Sequence, residues 1–475
     1  MNLIKKIYNL SPPFIQDIGR RVYSRFKRPI WKDPEFLKWY NFLQESQWWS
    51  REKLEEYQMQ QLSKVLHHAY ENVPYYRRVF DERGLKPKDI QDFKDLRKLP
   101  YLTKDDVRAN FDDLIARNIP KEQMDYGTTG GSTAIPLGLY IEKKTHSIRM
   151  AFEWREWNWM GYNFGDKCVV LRGNVISRFE NGKRAWWEYD PFNNYLILSS
   201  YDMTEENLFK YVAKIEEFQP KVIRGYPSAL DILARFIKEH DLKINKKGNI
   251  KAISTSSETL CSHQRELIED VFGCKIYDKY GNFEQVCMLG MCEKREGYHD
   301  FMEYSITEII GKDGKPVTKE GEIGEIIGTG FTNYAFPLIR YKTEDLAVWT
   351  NKRCSCGREL PLIKRIEGRL QELIVTKKDN LISMTAINMH SDVFDNVKQF
   401  QFVQEKKGEV IFNIVRKQSY TDYDTEYIRK ELYKKLGDDV NLIIRFVDHI
   451  PRTQRGKYRF LIQKLPIEFS DKQDE

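Results

Sequence analysis

No run in this 475-residue chain approaches the ~18 consecutive apolar residues that a membrane-spanning helix needs. The opening residues Met1-Asn2-Leu3-Ile4-Lys5-Lys6 also lack the apolar stretch of a signal peptide. The expectation is a cytoplasmic protein. Cysteine is scarce, at seven, and in an intracellular chain those seven are not expected to form disulfides. No internal repeat or low-complexity block appears. Charge is nearly balanced over most of the length. The net charge is +7, but Lys5, Lys6, Arg20, Arg21, Arg25, Lys27 and Arg28 stand against Asp17 alone in residues 1–28. The rest of the chain is almost neutral, which excludes a genome-binding surface and leaves no nucleic-acid partner expected.

What is present is a core. Hydrophobic residues make up 41% of the chain, and 10 Trp, 27 Tyr and 26 Phe exclude a disordered class. The length has room for two to four domains on the usual size range. Phe14, Ile18, Val22 and Phe26 recur every fourth residue among arginines, as in a basic amphipathic helix. Such a stripe either docks peripherally on the inner membrane surface or packs on its own domain, the second being the commoner outcome.

Residues 35–115 read as helical, with a partial stripe at Leu54, Tyr57, Leu62 and Leu66. Between 140 and 330, helical stretches such as Glu205–Phe218 and Ala229–His240 alternate with short apolar strands such as Lys167–Leu171 and Ile250–Ser254. That rhythm predicts a layered α/β domain with largely buried strands. From Thr307 to Trp349 the pattern turns to β. Beyond Gly368 a compact α+β unit is expected, with strands at Leu373–Thr376, Val410–Val415 and Val440–Val447, a turn at Lys407-Gly408 and a helix at Asp424–Leu436. The expected division is an amino-terminal extension (1–45), a large domain (46–367) and a small carboxy-terminal domain (368–475).

Two loops carry chemistry. Thr128-Thr129-Gly130-Gly131-Ser132-Thr133-Ala134-Ile135-Pro136 pairs glycines, which let successive N–H groups face one anion, with hydroxyls that add donors. No Gly-Lys-[Ser/Thr] ending follows, so it is not a P-loop. Near the end, Pro451-Arg452-Thr453-Gln454-Arg455-Gly456-Lys457-Tyr458-Arg459 puts Lys457 on a glycine-loosened turn between arginines. A movable positive charge of that kind suits a carboxylate and a phosphate brought together.

In chain order these segments resemble those of phenylacetate–CoA ligases and the related CapK-type capsule proteins, of the adenylate-forming superfamily. The likeness starts with His68-Ala69-Tyr70-Glu71-Asn72-Val73-Pro74-Tyr75-Tyr76-Arg77 and Leu99-Pro100-Tyr101-Leu102-Thr103-Lys104, and covers the chain beyond about residue 45. It implies the adenylate-forming fold, with a mobile carboxy-terminal domain. It also implies that Thr129, Gly130, Gly131, Ser132 and Thr133 hold phosphates and that Ser256-Ser257-Glu258 cradles adenine. Tyr280-Gly281-Asn282-Phe283-Glu284 resembles Tyr-Gly-x-Thr/Ser-Glu, with Tyr280 and Gly281 at the nucleotide and Glu284 on magnesium. Pro337-Leu338-Ile339-Arg340-Tyr341-Lys342-Thr343-Glu344-Asp345 resembles the segment whose aspartate takes the ribose hydroxyls. Gly368-Arg369 opens the hinge, and Arg369 counts with Glu284 and Lys457 as catalytic.

The implied reaction is ATP-dependent activation of a carboxylic acid as acyl-AMP, with pyrophosphate released and the acyl group passed to coenzyme A. A sugar or amine acceptor in surface-polysaccharide synthesis is the alternative, and a non-catalytic nucleotide-binding relative a further one. Four departures stand out: Ala134 for a usual glycine, Phe283 for a hydroxyl, Glu344 for glycine, and Gln371 for Asp or Lys at the hinge.

Cys354 and Cys356 are too close for an easy mutual bridge and fit a shared metal better. A closed tetrahedral zinc site needs two more ligands, which Cys292 and His299 offer, with Cys287 the substitute for Cys292. The resemblance points the same way, since some relatives hold a structural zinc with Cys and His at corresponding places.

Overall fold

Helices dominate the described residues from Pro34 to Glu82 because caps and apolar stripes agree there. Ser50 accepts the Lys53 N–H to start Arg51–Asn72, which buries Leu54, Leu62, Val65 and Leu66 along one face. Val73 ends that helix and Pro74 begins the next, Pro74–Glu82. The structure is a computed structural model and describes residues 29–467 and 469, apart from 130–136, 175, 177–178, 181–182, 385–386, 388–390 and 454–457. The stripe at Phe14, Ile18, Val22 and Phe26 lies outside the described residues.

The chain forms two compact units, each assembled from separated stretches. One comprises Met1–Asp33, Trp157–Asp278 and Glu372–Leu465; the other Pro34–Glu156, Lys279–Gln371 and Pro466–Glu475. The chain passes between them at Gln371/Glu372, three residues beyond Gly368, whose φ of +100° suits glycine alone.

In the first unit, strands Ala252–Ser256, Val222–Gly225, Cys168–Arg172 and Tyr195–Ser199 run parallel in that order, with Trp187–Asp190 antiparallel at the edge. Their connections are helices Glu205–Phe218, Pro227–Glu239 and Ser262–Phe272. Val169, Leu171, Leu196, Leu198, Ile223 and Ile253 make one face of the sheet and pack with Tyr211, Ile215, Leu230, Leu233, Leu267 and Ile268 of the helices. The α/β class expected from the rhythm of strands and helices is the class the chain adopts. A second sheet follows, in which Val397–Lys406 and Glu409–Arg416 form a hairpin, Asn441–Phe446 lies parallel to the latter and Leu461–Gln463 parallel to the former. Helix Asp422–Leu436 covers it with Ile428, Leu432 and Leu436.

The other unit orders its strands Ser305–Ile310, Ile323–Gly330, Tyr341–Trp349, Leu362–Arg369, Tyr298–Asp300, Met288–Gly290 and the end of Lys275–Gly281, with each of these neighbours antiparallel to the next. Helix Pro34–Ser46 belongs to this unit, with Phe36 and Leu43 fully buried and Ser46 donating to Glu303 at 2.6 Å. Residues 34–45, placed in the extension by the sequence, thus carry an apolar stripe with buried members. Among the described residues no helix is long and apolar enough to cross a membrane.

Candidate nucleotide site and metal centre

Three polar side chains converge where strands of the second unit run side by side. Asp345 and Arg369 are direct partners across strands Tyr341–Trp349 and Leu362–Arg369, with Arg369 Nε 3.4 Å from Asp345 Oδ1. Tyr280 Oη donates to the other oxygen, Oδ2, at 2.7 Å. Burial, and then the Asp345 charge, push the Tyr280 phenol well above its ordinary range, so it stays a donor. Gly281 follows at the exposed end of its strand. Glu284 is half-buried, and burial lifts its carboxyl above the usual range; Tyr341 Oη donates to its Oε1 at 3.1 Å.

Tyr341 is fixed by two of the sequence segments meeting. The Leu102 N–H donates to Arg340 O at 3.0 Å and the Lys342 N–H to Leu102 O at 2.9 Å. Arg340 is wholly buried; it forks onto both Glu308 oxygens at 3.1 Å and donates to Leu99 O at 2.7 Å. Sequence reasoning missed Tyr341 and Arg340 as individuals, although both lie inside the segment it singled out.

Two of the four departures, Glu344 and Phe283, have local reasons. Glu344 sits at φ +62°, the left-handed region where glycine costs nothing. Its carboxylate pairs with Lys104 Nζ at 2.5 Å, and its N–H donates to Glu325 at 3.3 Å. Glu344→Gly and Glu344→Ala both lose that half-exposed pair, and only glycine relieves the backbone. The glycine variant is therefore expected to be the more stable, by on the order of 1 kcal/mol, in chemical denaturation. Equal midpoints for the two variants would mean the conformation is not strained. Phe283 packs its ring against the strand Met124–Thr128, where a Cβ on Gly127 would come within 2.6 Å of Phe283 Cζ. Apolar contact thus replaces the hydroxyl.

At the mouth of the glycine loop, the Thr129 N–H donates to Leu137 O at 2.8 Å and Thr129 Oγ1 accepts from the Leu137 N–H at 2.9 Å. Gly130, Gly131, Ser132, Thr133 and Ala134 lie outside the described residues, as does Lys457.

In the first unit, strand Ala252–Ser256 delivers the 256–258 loop. Ser256 Oγ accepts from Arg172 Nη2 at 2.5 Å, and Ser257 takes φ +71°. The Glu258 carboxylate meets the start of helix Pro227–Glu239, accepting from Ser228 N at 3.0 Å and Ser228 Oγ at 3.1 Å. A helix amino terminus favours negative charge. The same carboxylate accepts the Tyr458 N–H at 3.2 Å, from 200 residues along the chain. Tyr458 is buried and its Oη bonds to both the N–H and the carbonyl of Phe400. The residue after Lys457 is thereby held against the 256–258 loop.

Strand pairing assembles the cysteine cluster. His299 lies on Tyr298–Asp300, with Gly290 and Leu362 as its partners on either side. Cys292 follows Met288–Gly290, while Cys354 and Cys356 sit in the loop before Leu362–Arg369. The ligand atoms of Cys292, His299, Cys354 and Cys356 all lie within 4.8 Å of one another. Sγ of Cys292 and Cys354 are 3.5 Å apart, and Cys356 Sγ is 3.5 Å from His299 Nε2. Backbone N–H groups of Lys294 and Arg358 point at the Cys292 and Cys356 sulfurs, each at 3.4 Å. Burial raises the Cys356 thiol, but hydrogen bonds from His299 and Arg358 outweigh it and bring the thiol down to about 6. Three sulfurs and one imidazole at that spacing are the donor set of a closed tetrahedral zinc site. Cys287, the other reading for the fourth ligand, instead contacts Thr307 Oγ1 at 3.3 Å.

Comparison with known proteins fits this geometry. A family model described as the CapK C-terminal domain matches residues 374–464. Protein CapK of Staphylococcus aureus is 27% identical over 476 aligned positions, spanning 98% of this chain and all of that one. The phenylacetate-coenzyme A ligase of Escherichia coli is 30% identical over 349 residues, 70% of this chain and 75% of the ligase. Its counterpart in Thermus thermophilus is 25% identical over 447 residues, 86% of this chain and 96% of the ligase. A solved 2-hydroxyisobutyryl-CoA ligase in its postadenylation state shares the fold, with a TM-score of 0.70 at 19% identity over 88% of this chain and 93% of that one.

Proposed function

This chain belongs to the phenylacetate–coenzyme A ligase family of adenylate-forming ligases, and from that premise we propose that it joins a carboxylic acid to the AMP moiety of ATP, releases pyrophosphate, and passes the acyl group to coenzyme A. The supporting observation is the Tyr458 N–H on Glu258. It fixes the neighbour of Lys457 against the loop assigned to adenine.

The residues then divide the work by charge. Asp345, with Tyr280 and Arg369 on its two oxygens, accepts the ribose hydroxyls. Thr129 closes the loop whose Gly130, Gly131, Ser132 and Thr133 donate to the phosphates. Ser256, Ser257 and Glu258 flank the base, and Tyr280 and Gly281 serve the same nucleotide. Lys457 bridges the attacking carboxylate and the α-phosphate, two anions that repel until a cation lies between them. Magnesium, when bound, would neutralise phosphate charge, and Glu284 is the carboxylate that would hold it. Tyr341 positions Glu284 through its hydrogen bond. Zinc on Cys292, His299, Cys354 and Cys356 is structural in this reading, since four protein ligands leave no position for substrate.

Acid-dependent exchange of labelled pyrophosphate into ATP, across a panel of carboxylic acids, tests the first half-reaction. No exchange with any acid, from protein that binds ATP, would remove the proposal. Asp345→Ala is expected to weaken ATP binding by about 1.5–3 kcal/mol, the worth of a hydrogen bond to a charged group. Isothermal titration reads this, and an unchanged affinity would leave Asp345 as a strand-pairing residue.

A second acceptor is favoured by the full-length likeness to protein CapK and by the family match over 374–464, the stretch that carries Lys457. In this alternative reading the acceptor is a sugar or amine in surface-polysaccharide synthesis. Discharging a preformed acyl adenylate with coenzyme A and with amino sugars in parallel separates the two acceptors.

A further inference from the structure

The parallel strands of the first unit have two unlike faces. On one, Val169, Leu171, Leu196, Leu198, Ile223 and Ile253 join the apolar core. Side chains alternate along a strand, so the intervening positions point the other way. Arg172, Tyr195, Arg224, Ser254 and Ser256 occupy five of them, beside Cys168, Val170, Ile197, Ser199, Val222 and Ala252. A parallel strand covered on both sides is ordinarily apolar throughout, and two guanidinium groups on one face depart from that rule.

Their surroundings are specific. Arg224 is mid-strand, the register partner of Val170 and Ser254. Its guanidinium carbon stacks 3.8 Å from the Trp157 ring centroid, and its Nη1 reaches Tyr195 Oη at 3.4 Å. Arg172 is one strand over and two residues nearer the carboxyl edge, 5.6 Å from the Tyr226 ring and bonded to Ser256. Both arginines and Tyr195 are half-buried. Stacking on an aromatic ring covers the flat face of a guanidinium and leaves its in-plane N–H fork, the geometry that pairs with a carboxylate. The row leads inward from Ser256, and ligands of open α/β sheets bind beyond the carboxyl ends of the strands.

We propose that Arg224, with Arg172 and Tyr195, recognises a second anionic group on the acid, so that the substrate class is dicarboxylic. This rests on the ligase reading above. One carboxylate is activated, and the other is held by the guanidinium fork at the far end of the acyl chain.

The test uses the full-length protein and two matched pairs: glutarate against pentanoate, and terephthalate against 4-methylbenzoate. Equilibrium binding is measured by calorimetry and, separately, acid-dependent pyrophosphate exchange is followed. In at least one pair the dicarboxylate is expected to bind ten-fold or more tighter. Arg224→Gln should erase the difference and Arg224→Lys restore part of it, with ATP affinity and melting temperature reporting intact folding. Should Arg224→Gln not fold, Tyr195→Phe is read instead, and it should cut the preference at least three-fold. Equal binding within both pairs, binding of none of the four acids, or a preference indifferent to the readable variant overturns the assignment. Failure of the ligase reading looks different: Arg224-dependent dicarboxylate binding with no pyrophosphate exchange for any acid.

Discussion

Lys457→Ala is expected to lower acid-dependent pyrophosphate exchange by on the order of 10²- to 10³-fold, the cost of removing one preorganised charge from an acyl-transfer transition state. ATP affinity should stay close to that of the unaltered protein. The cation matters where the carboxylate and α-phosphate close on each other, and an interaction made only there changes rate and not ground-state binding. The neighbour of Lys457 is already pinned, with its N–H on Glu258 and its hydroxyl on Phe400, so the alanine variant should not unfold the loop. Exchange in the variant at the native rate, with an acid the native protein activates, would take Lys457 out of the reaction.

The second large effect is expected at the cysteine cluster. Protein purified without added zinc should carry close to one equivalent of the metal. Cys354→Ser and Cys356→Ser should each lose it and melt lower, because binding energy at such a site is also folding energy. A loss of a few kcal/mol corresponds to a fall of roughly 5–10 °C for a unit of about 200 residues. Activity per folded molecule at a permissive temperature should persist, since a closed ion does no chemistry. Native protein without metal, or a serine variant that retains it, would return the four residues to ordinary packing. A variant that stays folded yet is inactive would make the cluster part of the catalytic architecture.

Local pattern carried much of the fold. Helix Glu205–Phe218 has the bounds that its apolar spacing and Thr204 cap dictate, and the strands at 168–172 and 252–256 follow from short apolar runs. The carboxy-terminal helix starts two residues earlier than its periodicity indicated, at Asp422, because Thr421 caps it. The burial of Phe36 and Leu43 in Pro34–Ser46 was not legible, because a stripe shows that a helix is amphipathic and not what covers it. The candidate site was legible as a list of segments and not as a geometry. Phe283 read as a missing hydroxyl, while its packing partner Gly127 lies over 150 residues away. Glu344 read as a lost glycine, yet only the backbone shows that the position is left-handed. Spacing alone left Cys287 and Cys292 open. The register of His299 against Gly290 and Leu362 decides which sulfur faces the imidazole, and register across strands is not written in local sequence.

The hydrogen bond from Arg340 to Leu99 spans 241 residues of chain and lies wholly within the second unit. A ribosome adding 5–20 residues per second needs roughly 10–50 s to make that interval. Throughout it, the helix carrying Leu62, Val65 and Leu66 has been made while Ile339 and Tyr341 of the same core have not. The first unit is likewise split, its parallel sheet complete long before residues 372–465 arrive. Neither half of the molecule can finish as it emerges. The nascent chain must carry an apolar helix face without its core partners through more than half of its own synthesis, the kind of exposure that makes incomplete chains prone to aggregate.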